Sequence, residues 1–185
     1  MRPEELRKIR GPEMGMVFQN CSASLCPIRT IGDQLYEAMK EHHHINREEV
    51  EYMAIDLLQK MNLSDGRRIL ASYPFELSGG MNQRVGIVMA MLLKPDLLFA
   101  DEPTSALDII VQAQVVKEMK KLRNELGTAI IIVSHNIGLV SHMADKVAVM
   151  YQGHLLEYGS TKDIINHPKE AYTRRLIQAI PKVRK

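Results

Sequence analysis

Two adjacent carboxylates, Asp101 and Glu102, follow the apolar run Leu97-Leu98-Phe99-Ala100 and precede Pro103-Thr104-Ser105. A carboxylate at the end of a buried strand can hold Mg²⁺, directly or through water. Its neighbour points elsewhere and can orient or deprotonate an attacking water. Upstream lies Leu77-Ser78-Gly79-Gly80-Met81-Asn82-Gln83-Arg84. Ser78 suits a helix cap, and the two glycines let the backbone approach an anion closely. Such a helix start offers free N–H groups to a phosphate. His135 follows the apolar run Ala129 to Val133 after one serine, where it can donate to a terminal phosphate, and Gln19 ends another apolar strand, with an amide able to meet metal and water. These residue types fit phosphoryl transfer to water, which needs a metal, a placed water and donors aimed at the developing charge. The loop that usually cradles the phosphates, G-x-x-x-x-G-K-[ST], does not occur in the 185 residues.

The elements that must position these groups read as follows. Met14 to Gln19 is a short strand, and Asn20 to Pro27 a loop of small residues. Ile31, Leu35, Ala38 and Met39 follow helical spacing. A second helix opens with a capping box, Asn46 and Glu49, and carries Val50, Met53, Ala54, Leu57, Leu58 and Met61 on one face. These segments form a small helical lobe. Asp65-Gly66 and Tyr73-Pro74 punctuate a return to the main body. A helix then runs from Ser78 to before Lys94-Pro95, and Leu97 to Ala100 is a buried strand. A helix from Ile109 to about Leu126 turns Val111, Val115, Met119, Leu122 and Leu126 inward and closes at Gly127. Ala129 to Val133 is a second buried strand, and a short helix begins near Asn136. Val147–Met150 and Leu155–Tyr158 flank Gln152-Gly153-His154 as a hairpin, and two short helices finish the chain. Strand–helix alternation with continuously apolar strands predicts an α/β fold with a mostly parallel sheet.

Composition narrows the class further. Hydrophobic content of 45% and charged content of 25% are ordinary for a globular chain. A net charge of +2 argues for no polyanionic partner, and the basic Lys182, Arg184 and Lys185 read as a solvated tail. No apolar run approaches the ~18 residues that span a bilayer. The charged start, Met1-Arg2-Pro3-Glu4-Glu5, has no apolar stretch behind it and is not expected to be a signal peptide. His42-His43-His44 reads as a solvated helix end, because consecutive helical residues cannot all face one ion. Cys21 and Cys26 make half a zinc site at best and are read as structural or incidental, in keeping with a reduced cytosolic protein.

In their order along the chain these residues resemble the ATP-binding subunits of ABC transporters. Leu77 to Gln83 is similar to the ABC signature and Leu97 to Glu102 to Walker B with its catalytic glutamate. Ser105-Ala106-Leu107-Asp108 is similar to the D-loop, Gln19 to the Q-loop glutamine and His135 to the switch histidine. Ile9-Arg10-Gly11, Met81, Val111-Gln112-Ala113-Gln114 and Ala171-Tyr172-Thr173-Arg174-Arg175-Leu176 resemble the oligopeptide, dipeptide and nickel importer branch. The resemblance implies a partial ABC ATPase domain. Its helical lobe would cover about 28–77, the signature helix, Walker B and switch region about 78–145, and the hairpin and last helices 146–185. It implies Glu102, His135 and Gln19 as catalytic. Ser78, Gly79, Gly80, Gln83 and Asp108 would contact ATP, and Asp101, with Gln19 through water, would contact Mg²⁺. It implies a head-to-tail pair of ATP-binding subunits, homo- or heterodimeric, and peripheral attachment to membrane subunits at the cytoplasmic face. A solute-binding protein would be an indirect partner, and no nucleic acid is expected.

The chain departs from the family pattern in places. Asn20-Cys21-Ser22-Ala23-Ser24-Leu25-Cys26-Pro27 stands where the family usually reads Asp-Pro…Ser-Leu-Asn-Pro. Asn82 replaces a usual arginine, and Asn136 replaces the common aspartate after the switch histidine. The leading strands, the aromatic that stacks on adenine and the Walker A loop are absent. The chain is therefore expected to be the C-terminal portion of an importer ATPase, unable to bind or hydrolyse ATP in cis. The missing Walker A strand is expected beside the Walker B strand, leaving an apolar sheet edge unpaired. Two alternatives stand beside this reading. One is a non-catalytic partial subunit that offers its signature in trans to an intact ATPase. The other is a soluble ABC-type ATPase of DNA repair or translation, against which the Tyr172–Pro181 segment and the lack of a strongly basic balance argue.

Overall fold

Parallel strands need long crossovers between them, and this chain supplies helices for each. In the computed structural model, which describes residues 2–105 and 107–179, β1 (Met14–Val17), β2 (Leu97–Asp101) and β3 (Ala129–Val133) form a parallel sheet in the order β1-β2-β3. Val17 pairs with Ala100, and Asp101 pairs with Val133. The described residues fall into two compact units, divided between Val133 and Ser134.

In the first unit, α1 (Pro3–Ile9) precedes β1, and one helical turn, α2 (Cys21–Ser24), follows it. The crossover to β2 contains α3 (Ile31–Lys40), α4 (Arg47–Lys60), α5 (Gly66–Ala71), a 3₁₀ turn (Pro74–Glu76) and α6 (Gly79–Met91). The crossover to β3 is α7 (Ile109–Leu126). Helices α3, α4 and α5 pack on one another through Ile31, Leu35, Val50, Ala54, Leu58 and Ile69, all essentially inaccessible. The Asn46 capping box forms as the spacing predicts: Asn46 Oδ1 accepts from the Glu49 amide at 2.9 Å and Glu49 Oε2 accepts from the Asn46 amide at 3.1 Å. Gly127, at φ +72°, closes α7 in the left-handed conformation that glycine adopts without strain.

The second unit holds α8 (Ile137–Met143), the antiparallel hairpin of β4 (Lys146–Tyr151) and β5 (His154–Ser160), then α9 (Thr161–Asn166) and α10 (Ala171–Gln178). Gln152 and Gly153 make the hairpin turn with φ of +47° and +80°. Two central residues with positive φ match the twist of the flanking strands. His154 therefore belongs to the strand and not to the turn.

Several expectations need correction. Residues 3–9, read only as polar, form α1, whose Glu5 accepts from the Arg2 amide at 2.9 Å. The small-residue loop contains α2, because Asn20 caps it by accepting from the Ala23 amide. Asp65 does not mark a return to the main body; it caps α5. The three histidines stand just past Lys40 at the end of α3, where the His42 and His43 amides donate to the Met39 carbonyl. A strand beside β2 cannot be missing, since β1 and β3 occupy both of its edges. Finally, β3 is not buried. It pairs only with β2 among the described strands, and Ile131 and Val133 are 48% and 57% exposed. They share with Met14 and Met16 a sheet face opposite Val17, Leu98 and Ala100, which are buried.

Helix α6 lies on β1 because Gly15 permits it: a Cβ there would stand 2.7 Å from the Ala90 carbonyl oxygen. Gly86, on the same helix, admits α2, for a Cβ at 86 would collide with the Cys21 Sγ. Burial pushes the Cys21 thiol up to about 11, so at pH 8 roughly one such thiol in a thousand is ionised. Cys21 is therefore expected to react with a disulfide reagent at pH 8 more than tenfold slower than the half-buried Cys26. Gly86→Ala should lower the urea-unfolding free energy by about 1–3 kcal/mol and speed the Cys21 reaction, and Cys21→Gly in that background should recover stability. On the exposed sheet face, Ile131→Thr with Val133→Thr should raise the concentration at which light scattering sets in, with the urea midpoint little changed.

Candidate functional site

The carboxyl ends of parallel strands are where open α/β sheets bind ligands. Asp101 is the last residue of β2 and is exposed. Glu102 follows with φ +45°, a left-handed backbone that a non-glycine residue adopts at a cost of about 1–3 kcal/mol. Three bonds hold it there. Its amide donates to the Val133 carbonyl at 2.9 Å, and its own carbonyl accepts from the Ser105 amide and the Ser105 hydroxyl, both at 3.2 Å. Pro103 and Thr104 behind it are buried. The turn therefore fixes the backbone at the point where two consecutive carboxylates leave the sheet.

Gln19 lies two residues beyond β1 and is exposed. Because Val17 pairs with Ala100, Gln19 leaves the sheet at the same edge as Asp101 and Glu102. Its turn is anchored from below, where the Cys21 Sγ donates to the Phe18 carbonyl at 3.4 Å. His135 is exposed and belongs to the second unit.

A second constellation stands at the start of α6. Ser78 is its N-cap, and the Ser78 hydroxyl oxygen accepts from the Met81 amide at 3.3 Å. Ser78 and Gly79 are exposed, and a Cβ at Gly79 would meet nothing within 4 Å. This is an open helix N-terminus on a helix long enough to carry a dipole, which suits an anion. Gly80 faces inward instead, toward Val111 and Leu107 at 3.6 and 3.7 Å from an ideal Cβ. The signature segment thus rests on the first turn of α7. Asp108 caps that helix, its Oδ1 accepting from the Ile110 and Val111 amides at 3.1 and 3.0 Å.

Gln83 does not stand with Ser78 and Gly79. It shares a helix face with the fully buried Ile87 four residues on, is 4% exposed, and its Nε2 has no protein partner. Its neighbour Asn82, where the family pattern has arginine, is also buried and donates to the Pro74 carbonyl at 2.9 Å. Asn82 therefore fastens the 3₁₀ turn to α6. No periodicity pointed to either burial, because both residues sit in a segment read for its glycines. Sequence reasoning also missed Glu118, 3% exposed on the inward face of α7.

Comparison with known proteins shows the family and the fold of the chain. Residues 2–105, more than half of the chain, match the family described as ABC transporter. A candidate peptide import ATP-binding protein of Brucella melitensis biotype 1 is 44% identical over 180 residues, which is 97% of this chain and 53% of that protein. A candidate D,D-dipeptide transport ATP-binding protein of Escherichia coli strain K12 is likewise 44% identical, over 97% of this chain and 55% of its own length. The chain spans about half the length of these curated relatives. Among solved structures, a dimeric ATP-binding cassette in a post-hydrolysis state, bound to ADP and Pi, superposes with a TM-score of 0.74. It is 28% identical and covers 87% of this chain, which spans 68% of it. The chain belongs to the ABC transporter family.

Proposed function

We propose that these residues are the part of an importer's ATP-binding subunit that carries the signature and the hydrolytic carboxylates, and that they serve two different nucleotides. The observation that carries this reading is the open start of α6, with Ser78 as cap and Gly79 uncrowded. Unlike Gly80, Gly79 has open space where a side chain would stand, which fits a phosphate presented by another subunit. The relatives' names favour a peptide or dipeptide as the imported solute; the nickel reading has no counterpart among the relatives named above.

The chain's own groups divide the work at the other end. Asp101, an exposed carboxylate at a strand terminus, is suited to hold Mg²⁺ through water. When bound, Mg²⁺ would neutralise charge on the phosphate oxygens. Glu102, fixed by its bonds to Val133 and Ser105, orients a water and accepts its proton. Gln19, from the adjacent strand, would hold metal through water, and His135 would donate to the terminal phosphate. Asp108 and Gln83 act one step back, Asp108 by starting α7 and Gln83 from the buried face of α6. In this reading α3–α5 face membrane subunits and a second ATP-binding subunit closes the sandwich. The protein sits peripherally at the cytoplasmic face, and a solute-binding protein is reached only through the membrane subunits. Among the described residues no helix is long and apolar enough to cross a membrane.

These 185 residues contain no G-x-x-x-x-G-K-[ST], hence no lysine and no backbone nest of that kind for the β-phosphate. A ligand at about 100 times its Kd adds about 2.7 kcal/mol to stability. Mg-ATP is therefore expected to leave the melting temperature of this chain alone unmoved, and a clear upward shift would contradict the reading. An intact ABC ATPase subunit loaded with Mg-ATP should bind the chain, and Ser78→Arg should weaken that binding at least tenfold without changing the chain's fold. Equal binding by the variant would contradict the trans role.

A further inference from the structure

The one buried carboxylate among the described acidic residues is Glu118, and it sits where three elements meet. Its Oε1 accepts from the Asn62 Nδ2 at 2.6 Å and from the Gln114 Nε2 at 2.9 Å, and its Oε2 accepts from the Arg84 Nε at 3.1 Å. The Arg84 and Glu118 side chains are 15% and 4% exposed. A buried charge is tolerated when it is paired and its lone pairs are occupied, and this one is both. Each donor comes from a different place. Gln114 is one turn back on α7, and Arg84 is on α6. Asn62 follows the end of α4 at φ +53°, a conformation that asparagine accepts more readily than most residues.

Spacing gives this cluster its leverage. Arg84 lies one turn along α6 from Gly80, and Glu118 lies two turns along α7 from Val111. A Cβ at Gly80 would stand only 3.6 Å from the Val111 side chain, so α6 passes close to α7 there, and a close approach of that kind alone leaves two helices free to pivot. A second, hydrogen-bonded contact removes that freedom. A third attachment runs from α4 to the same face of α7, seven residues beyond Glu118, where the Lys60 Nζ lies 3.2 Å from the Glu125 Oε2.

We infer that Glu118 is a positioning residue: through Arg84 it fixes the crossing of α6 on α7, and so fixes where the Ser78–Gly80 turn stands relative to the Asp108 loop. The inference rests on the reading of Ser78–Gly80 as a nucleotide-facing turn only for its functional meaning. The positioning itself exists without nucleotide. Because Asn62 holds the same carboxylate, the helices α3–α5 are tied to that crossing as well.

Amide hydrogen exchange on the 185-residue chain, with no nucleotide or partner, tests it. In Glu118→Leu, exchange at Asn82–Arg84 and Gln112–Gln114 should rise at least tenfold, while the Leu98–Ala100 amides of β2 change less than twofold. Glu118→Gln should fall between, and it decides the matter if the leucine variant does not fold. The reversed pair, Arg84→Glu with Glu118→Arg, should restore protection relative to Arg84→Glu alone, since the Asn62 and Gln114 amides can rotate to accept. Unchanged exchange, a rise spread evenly over β2 and both helices, or no recovery in the reversed pair would overturn the inference. Failure of Ser78→Arg to weaken partner binding would instead count against the nucleotide reading and leave this result standing.

Discussion

The bond from the Glu102 amide to the Val133 carbonyl extends the β2–β3 pairing one residue past the end of β2, with Glu102 already turned to φ +45°. Everything at that edge of the sheet depends on it. Because β2 lies between β1 and β3, a one-residue slip would move Leu98 and Ala100 off the buried face on both sides at once. The register is therefore tightly specified, and with it the point at which Asp101 and Glu102 leave the core. The same register brings Gln19 out at that edge, since Val17 and Ala100 are partners. Backbone strain at Glu102 is sustained by the pairing on one side and by the Ser105 bonds on the other. The strain is therefore held in place at the residue where the chain leaves the sheet.

Helix α6 links this edge to the second constellation. Two glycines set its place: Gly15 lets it lie on β1, and Gly86 receives Cys21, whose thiol holds the Phe18 carbonyl just before Gln19. On its other flank Gly80 meets α7, and Arg84 meets Glu118. The helix is thus anchored along its length while its first residues stay open. The Gln83 Nε2 and the Asn82 Oδ1 have no protein partner inside the same helix. Buried polar atoms of this kind cost stability; Gln83 is one of the residues that the resemblance assigns to nucleotide, and Asn82 is its neighbour.

Much of this was legible in the sequence where one physical rule dominates locally. Apolar runs of four or five residues marked β2 and β3, helical periodicity marked α3, α4 and α7, and Asn46 with Glu49 marked a helix start. Gly127 marked a helix end by its left-handed conformation. The short helices α1, α2 and α5 were not legible, because helices of four to seven residues owe their existence to caps and packing more than to propensity. The exposure of β3 could not be read from its composition, since Ala-Ile-Ile-Ile-Val looks the same with one neighbouring strand or two. Glu118 was invisible for a different reason. Its burial is justified by Arg84, Asn62 and Gln114, two of them tens of residues away in sequence. Of the site itself, residue types and order pointed to Ser78–Gly80, Asp101 and Glu102, while the inward orientation of Gln83 and the capping role of Asp108 needed the fold.

In the proposed function, the start of α6 meets a phosphate held by another subunit, while Asp101 and Glu102 serve a separate one. Mapping amide protection on this chain, with and without an intact ABC ATPase subunit, tests it most directly. Protection at residues 78–82 should arise when the partner and Mg-ATP are both present, and neither Mg-ATP alone nor the nucleotide-free partner should produce it. Protection of those amides by Mg-ATP in the absence of a partner, or a nucleotide-dependent complex that leaves them unprotected, would rule out the trans role of the α6 start.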